Sequence, residues 1–257
     1  MVLPYTSRGP PNHRCTRPGY RRRLQLLHAR DGEERRLPHA RPARRVSFVV
    51  SRQTEGVNKV IYLLTDSEYT TWPGALESGW AEPWQHREIF QMGAILTDDA
   101  FNEIDSLIQL VRPTLNPQLS ELAQSLTNVT QLQIEQDGVS FAKALERFVE
   151  FSRAASAIIC MNRDSGVFRE NCDINQLAFP FREDFHRLRP FLVAQGIDLD
   201  NISSGELHKL TSTPIVGHTH DALHDCRSMA VWLKHSREQG IFVSVSDLPI
   251  DSPGYPQ

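Results

Sequence analysis

The sequence predicts an α/β fold, a mixed central sheet flanked by helices, on three observations. Compact apolar runs of strand length occupy residues 59–111, segments of helical period follow from 117 to 152, and a buried run at 155–161 leads back into helices. The order is three strands, then helices, a strand and helices again. At 257 residues and 40% hydrophobic content, the chain supports one such core with flanking tails rather than two.

The first strand is expected over Lys59 to Thr65 (KVIYLLT), ending at Asp66-Ser67-Glu68, and a second over Arg87 to Leu96 (REIFQMGAIL). Between them, Thr71 to His86 reads as a long loop containing Trp, Pro and Gly. A third strand covers Glu103 to Val111 and is stopped by Pro113. Pro117 to Leu126, Val129 to Glu135 and Gly138 to Ser152 read as helices, the last with Val139, Ala142, Leu145, Phe148 and Val149 on one face. Ala155 to Met161 returns to a buried strand. Asp164 to Leu177, Phe185 to Ala194, Ser204 to Leu210 and Thr219 to Arg237 are then expected as helices.

Charge divides the chain differently. Residues 1–45 hold 12 arginines, no lysine and only three acids, a balance of +9, whereas the remainder balances at −12. The expected organisation is therefore a basic, Arg- and Pro-rich extension over 1–56, disordered by composition, a folded domain over 57–240 and a tail over 241–257. Three readings of the extension stand side by side: an arm that attracts phosphates, a targeting presequence, or translated sequence upstream of a start at Val57. Cys15, Cys160, Cys172 and Cys226 form no CxxC pair, so neither a zinc knuckle nor a disulfide framework is suggested. The longest apolar runs fall far short of the roughly 20 residues that span a bilayer. A soluble, cytoplasmic protein is expected.

The acids carry the chemistry. Asp66 and Glu68 stand two apart, so strand geometry sends both carboxylates to one face, where they can share a divalent cation. Asp164 follows a buried strand and opens a helix; alone, it reads better as an ordinary first-turn acid. His220 and Asp225 are five residues apart, a net rotation of about 140° on a helix. They converge only if His220 lies in the loop before the helix that carries Asp225, and Pro214 and Gly217 favour a loop there.

The runs TDSEYT at 65–70, EIFQMGAI at 88–95, MNRDSGVFRENC at 161–172 and HDALHD at 220–225 resemble the three exonuclease motifs of the DEDDh superfamily. The connector RPTLNPQLS at 112–120 with LTNVTQ at 126–131 is similar to that of its histone-mRNA and small-RNA exonuclease group. The resemblance covers about residues 57–238 and departs from the pattern at Thr65, Ser67 and Arg163.

It implies an RNase H-like fold and a 3′-to-5′ exonuclease in which Asp66, Glu68 and Asp225, helped by Asp164, hold two Mg²⁺ or Mn²⁺ ions and His220 is the general base. An all-carboxylate set suits those ions, and an imidazole exchanges protons near neutral pH. Tyr69 and Thr70 are implied to border the 3′-terminal nucleotide. Trp72, with Trp80 and Trp84, offers aromatic surface to a base, though loop packing explains the three equally well. His218 and His224 lack the spacing to Asp225 and read as structural, and His86 and Arg87 as a solvated rim.

The expected substrate is a single-stranded RNA or DNA 3′ end, with RNA favoured by the connector and nucleoside 5′-monophosphates released. Two rivals remain: a DNA-directed exonuclease, and a non-catalytic adaptor that keeps the fold.

Overall fold

The computed structural model describes residues 60–181, 185–200, 202–242 and 244–251. The basic extension expected over 1–56, and Cys15 with it, lies outside the described residues.

Strands β1 (Tyr62–Tyr69), β2 (Ile89–Thr97), β3 (Glu103–Leu110), β4 (Ala157–Cys160) and β5 (Phe185–Arg187) form one sheet in the order β3-β2-β1-β4-β5. The first three pair antiparallel, while β4 pairs parallel with both β1 and β5. Helices α1 (Ala75–Ser78), α2 (Glu121–Thr127), α3 (Gln131–Asp137), α4 (Phe141–Ser152), α5 (Asp164–Ile174), α6 (Leu188–Ala194) and α7 (Ala222–Glu238) complete the fold, with a 3-10 helix over Ser204–Thr211. This is the mixed sheet with flanking helices expected from the sequence.

Alternation along the strands builds two layers. Leu63 and Ile158 point to the side of Phe141, Phe148 and Phe168, from α4 and α5. Their neighbours Leu64 and Ile159 point to the side of Leu192, Met229 and Leu233, from α6 and α7. Period-2 strands buried on both faces are what helices on both sides of a sheet require. All nine residues of β2 are buried.

Local chemistry sets several helix starts. The side chains of Ser120, Thr130, Ser140 and Asp221 accept backbone N–H groups at the starts of α2, α3, α4 and α7, and Thr130 forms a reciprocal capping box with Gln133. The connector is held by Glu88, whose buried carboxylate accepts the backbone N–H groups of Thr114, Leu115 and Asn116.

Five elements differ from expectation. β1 does not end before its acids but continues through Tyr69, because β2 goes on pairing beyond Thr65, where β4 stops. The helix expected over Phe185 to Ala194 opens as β5 and becomes helical only at Leu188; three residues are too few for a period to show. The 204–210 segment is a 3-10 helix running to Thr211, and the 71–86 loop contains α1. The tail expected from 241 belongs to the core as far as 251. Phe242, Val245 and Leu248 are buried against the α6 and α7 layer, and Arg187 and Asp251 donate backbone hydrogen bonds to Pro249 and Phe185 at 2.8 and 2.6 Å. Among the described residues, no helix is long and apolar enough to cross a membrane.

Candidate active site

The site begins where β4 ends. Thr65 is the last residue of β1 with a partner on that side, so Asp66 and Glu68 project from a stretch of strand held only by β2. A register irregularity between Glu68 and Tyr69 bends the strand just beyond them. Asp164 enters from the loop after β4 as the first residue of α5, and its Oδ1 accepts the Ser67 hydroxyl at 3.3 Å.

Asp225 arrives on α7, whose position is fixed by a close approach to β2. Gly93 is the register partner of Asp66, and a Cβ there would lie 2.4 Å from the carbonyl carbon of Ala222. The Ala222 N–H donates to Gln91 Oε1 at 3.0 Å, holding the helix start on the register partner of Glu68. His220 lies in the turn before α7 with a positive φ of 69°, and its backbone N–H donates to Asp225 Oδ1 at 3.2 Å. Its ring Nδ1 is 3.9 Å from Glu68 Oε1, and ligand atoms of Glu68, His220 and Asp225 all lie within 4.8 Å of one another. Asp164 and Asp225 are buried, while Asp66 and Glu68 are partly open.

The electrostatics follow from crowding. Burial, then the charges of Asp225, Asp164 and Glu68, push the Asp66 carboxyl well above the usual carboxylate range, against a hydrogen bond from Ser204 that lowers it. Glu68 is pushed up by burial and by Asp225, Asp221 and Asp164. Burial raises Asp164 to about 6 despite hydrogen bonds from Ser67 and Cys160. Asp225 also rises through burial, opposed by Ser204 and then by His220 and His224. Carboxylates pressed together at this cost fit a divalent cation, whose charge removes the repulsion. The carboxylate oxygens are also the donors a hard ion takes.

The other sequence-named residues divide. Tyr69 ends β1, edge-on to Trp80 at 5.4 Å, with its hydroxyl raised to about 12 by burial and the nearby acids. Thr70 closes the loop rather than offering free groups: its hydroxyl donates to the His86 carbonyl and accepts the Glu88 N–H, while its own N–H and carbonyl are taken by Glu88 and Trp80. Trp72 packs edge-on against Trp84 at 4.8 Å, and Trp84 is half exposed. Arg87 is no solvated rim. It pairs with Glu170 at 2.8 Å and lies over Trp80, while Asn171 bonds both the Arg87 carbonyl and the Ile89 N–H. His224 is buried with its ring against the Gly205 carbonyl, and His218 lines a groove of about 470 Å³ beside the site, with Gln91, Asn128 and Asp221. Ser204 lies in none of the quoted runs, and Gln91 and Asn171 fall within those at 88–95 and 161–172 without their roles being readable there, because their partners are distant in the chain.

Comparison with known proteins agrees with this geometry. The RNase T exonuclease family model matches residues 70–231. A probable 3′-5′ exonuclease, KapD of Bacillus subtilis, is 26% identical over 103 residues, which are 39% of this chain and 49% of that protein, so the match spans about half the relative's length. Among solved structures, the nuclease domain of 3′hExo, a DEDDh family member bound to rAMP, superposes with a TM-score of 0.62 at 19% identity, covering 75% of this chain and 96% of that one. The ExoI–ssDNA complex of E. coli superposes with a TM-score of 0.52 at 20% identity, over 70% of this chain and 41% of that one. These structural likenesses are in fold, the RNase H-like architecture.

Proposed function

We propose, from the premise that the chain belongs to the RNase T exonuclease family, that its acidic cluster hydrolyses single-stranded nucleic acid from the 3′ end and releases nucleoside 5′-monophosphates. The observation that carries this reading is the convergence of Asp66, Glu68, Asp164, Asp225 and His220, from three separate segments, on one end of β1. Asp66, Glu68 and Asp225, with Asp164, are the residues that would hold two Mg²⁺ or Mn²⁺ ions. Ions held there would supply positive charge to offset that of the phosphoryl group and to lower the pKa of a water.

The chain's own groups do the rest. His220 is 40% exposed on its side chain and fixed through its backbone to Asp225, so its ring faces the solvent side of the cluster, where it takes the water's proton. Tyr69 and Trp72 border the place of the terminal nucleotide, with Trp72 offering a face to a base. Thr70 acts through the loop it closes.

RNA is the favoured substrate. The connector at 112–131 is folded onto Glu88, and the superposed 3′hExo domain carries rAMP. The negative charge of the chain beyond residue 45 disfavours long duplexes and suits short single-stranded ends. A cytoplasmic location accords with the buried free thiols of Cys160, Cys172 and Cys226. Hydrolysis of matched RNA and DNA oligomers tests the substrate: faster loss of RNA supports the reading, and activity on DNA alone overturns the RNA choice.

A further inference from the structure

Ser204 lies outside the three motif segments, yet its hydroxyl reaches their centre. It donates to Asp225 Oδ2 at 2.8 Å, with both residues buried. The other oxygen, Oδ1, accepts the His220 N–H at 3.2 Å. With one donor on each oxygen, the carboxylate plane of Asp225 is set from both sides.

The surroundings leave this serine little freedom. The residue after it, Gly205, has no room for a side chain, since a Cβ would fall 2.2 Å from Asp225 Oδ1 and 2.9 Å from Thr219 Cα. The Gly205 carbonyl faces the rings of His224 and His208, each at 3.1 Å, and the Ser228 hydroxyl accepts the His208 N–H at 3.0 Å. The 3-10 helix is thereby clamped along α7, and Ser204 with it. A hydroxyl held in this way keeps the Asp225 carboxylate from turning when no cation is bound.

We propose that Ser204 is a positioning residue that fixes the Asp225 carboxylate and presents it to a divalent cation in one arrangement. The proposal rests on the metal-dependent reading above and adds a residue to it. Groups that orient metal ligands in this way typically contribute about 10- to 100-fold to metal affinity.

The test is Mn²⁺ binding to the full chain without nucleic acid, followed by electron paramagnetic resonance of the free ion, for wild type, Ser204→Ala and Ser204→Cys. The cysteine variant keeps the shape but is a weak donor. Both substitutions are expected to weaken Mn²⁺ binding about 10-fold or more, and their deficit in turnover is expected to close as Mn²⁺ is raised. Wild-type affinity in Ser204→Ala, with only a lower melting temperature, overturns the proposal. If the alanine variant does not fold, wild-type affinity in Ser204→Cys overturns it equally, and weakened affinity there supports it. Because binding is read without substrate, a wild-type protein that binds Mn²⁺ but degrades no strand defeats the hydrolase reading alone. One that binds no Mn²⁺ defeats both.

Discussion

Gly93 and Ala222 meet backbone to backbone: the place of a Cβ on Gly93 is 2.4 Å from the Ala222 carbonyl carbon and 2.6 Å from its oxygen. Gly93 is also the register partner of Asp66, so this contact sets how far the Asp225 helix stands from the Asp66 strand. Gly93→Ala is therefore expected to cost about 1–3 kcal/mol of stability by overpacking. It should also lower turnover by about 100-fold, as a displacement of about 1 Å at a reacting centre does. Urea unfolding and steady-state kinetics measure the two effects. Unchanged turnover in a folded variant would show that the helix position is not what assembles the site.

His220 and the acids should separate kinetically. As a general base, His220 replaced by Gln is expected to lose about 10²- to 10⁴-fold in turnover while binding Mn²⁺ nearly as wild type. Asp66→Asn should lose both. Calorimetric Mn²⁺ titration of the two variants distinguishes them, and loss of metal binding in His220→Gln would make the ring a ligand instead.

The pH dependence of stability has a definite sign. Asp164 holds its proton to about pH 6 when folded, against an ordinary value of 3.8, and Asp66 and Glu68 are raised as well. Such groups contribute stability that is complete below about pH 4 and is lost as pH rises through the folded value. In EDTA the melting temperature is expected to fall from pH 4 to 7, with a shallower fall in Asp164→Asn. Added Mn²⁺ should restore it at pH 7. A melting temperature in EDTA that stays level across this window, in both proteins, would contradict the crowding described above.

Thr70 and Trp72 make opposite predictions. Thr70→Val leaves the Glu88 N–H and the His86 carbonyl without their partner and is expected to cost about 1–3 kcal/mol of stability with KM little changed. Trp72→Ala is expected to raise KM about 5- to 100-fold through lost stacking, with a smaller effect on kcat. Denaturation curves beside Michaelis parameters decide both, and a KM effect confined to Thr70→Val would reverse the assignment.

How far these features are legible in the sequence depends on how local they are. Asp66 and Glu68 are readable because period-2 geometry and the preceding apolar run lie in one segment. The helical rotation between His220 and Asp225 demands a turn at His220, and the positive φ there is that turn. Ser204 and Gly205, and the role of Gln91 within its run, are illegible because each acts on a residue far along the chain. Glu88 looks like a strand-end acid until the 114–116 backbone folds around it. β5 is hidden because three residues in the frame of a helix show no period, and the 241–251 segment reads as a tail because its apolar residues are spaced by contacts with α6 and α7 rather than by its own geometry.

The central claim is that the five converging residues cut a strand from its 3′ end with a divalent cation. Digestion of one single-stranded RNA oligomer, labelled either at its 3′ or its 5′ end, with and without EDTA, tests polarity and metal dependence together. The account predicts immediate release of the 3′ label as a mononucleotide, a shortening ladder from the 5′ label, and neither product in EDTA or with Asp66→Asn. Early release of the 5′ label as a mononucleotide, internal fragments, or digestion that persists in EDTA would contradict it.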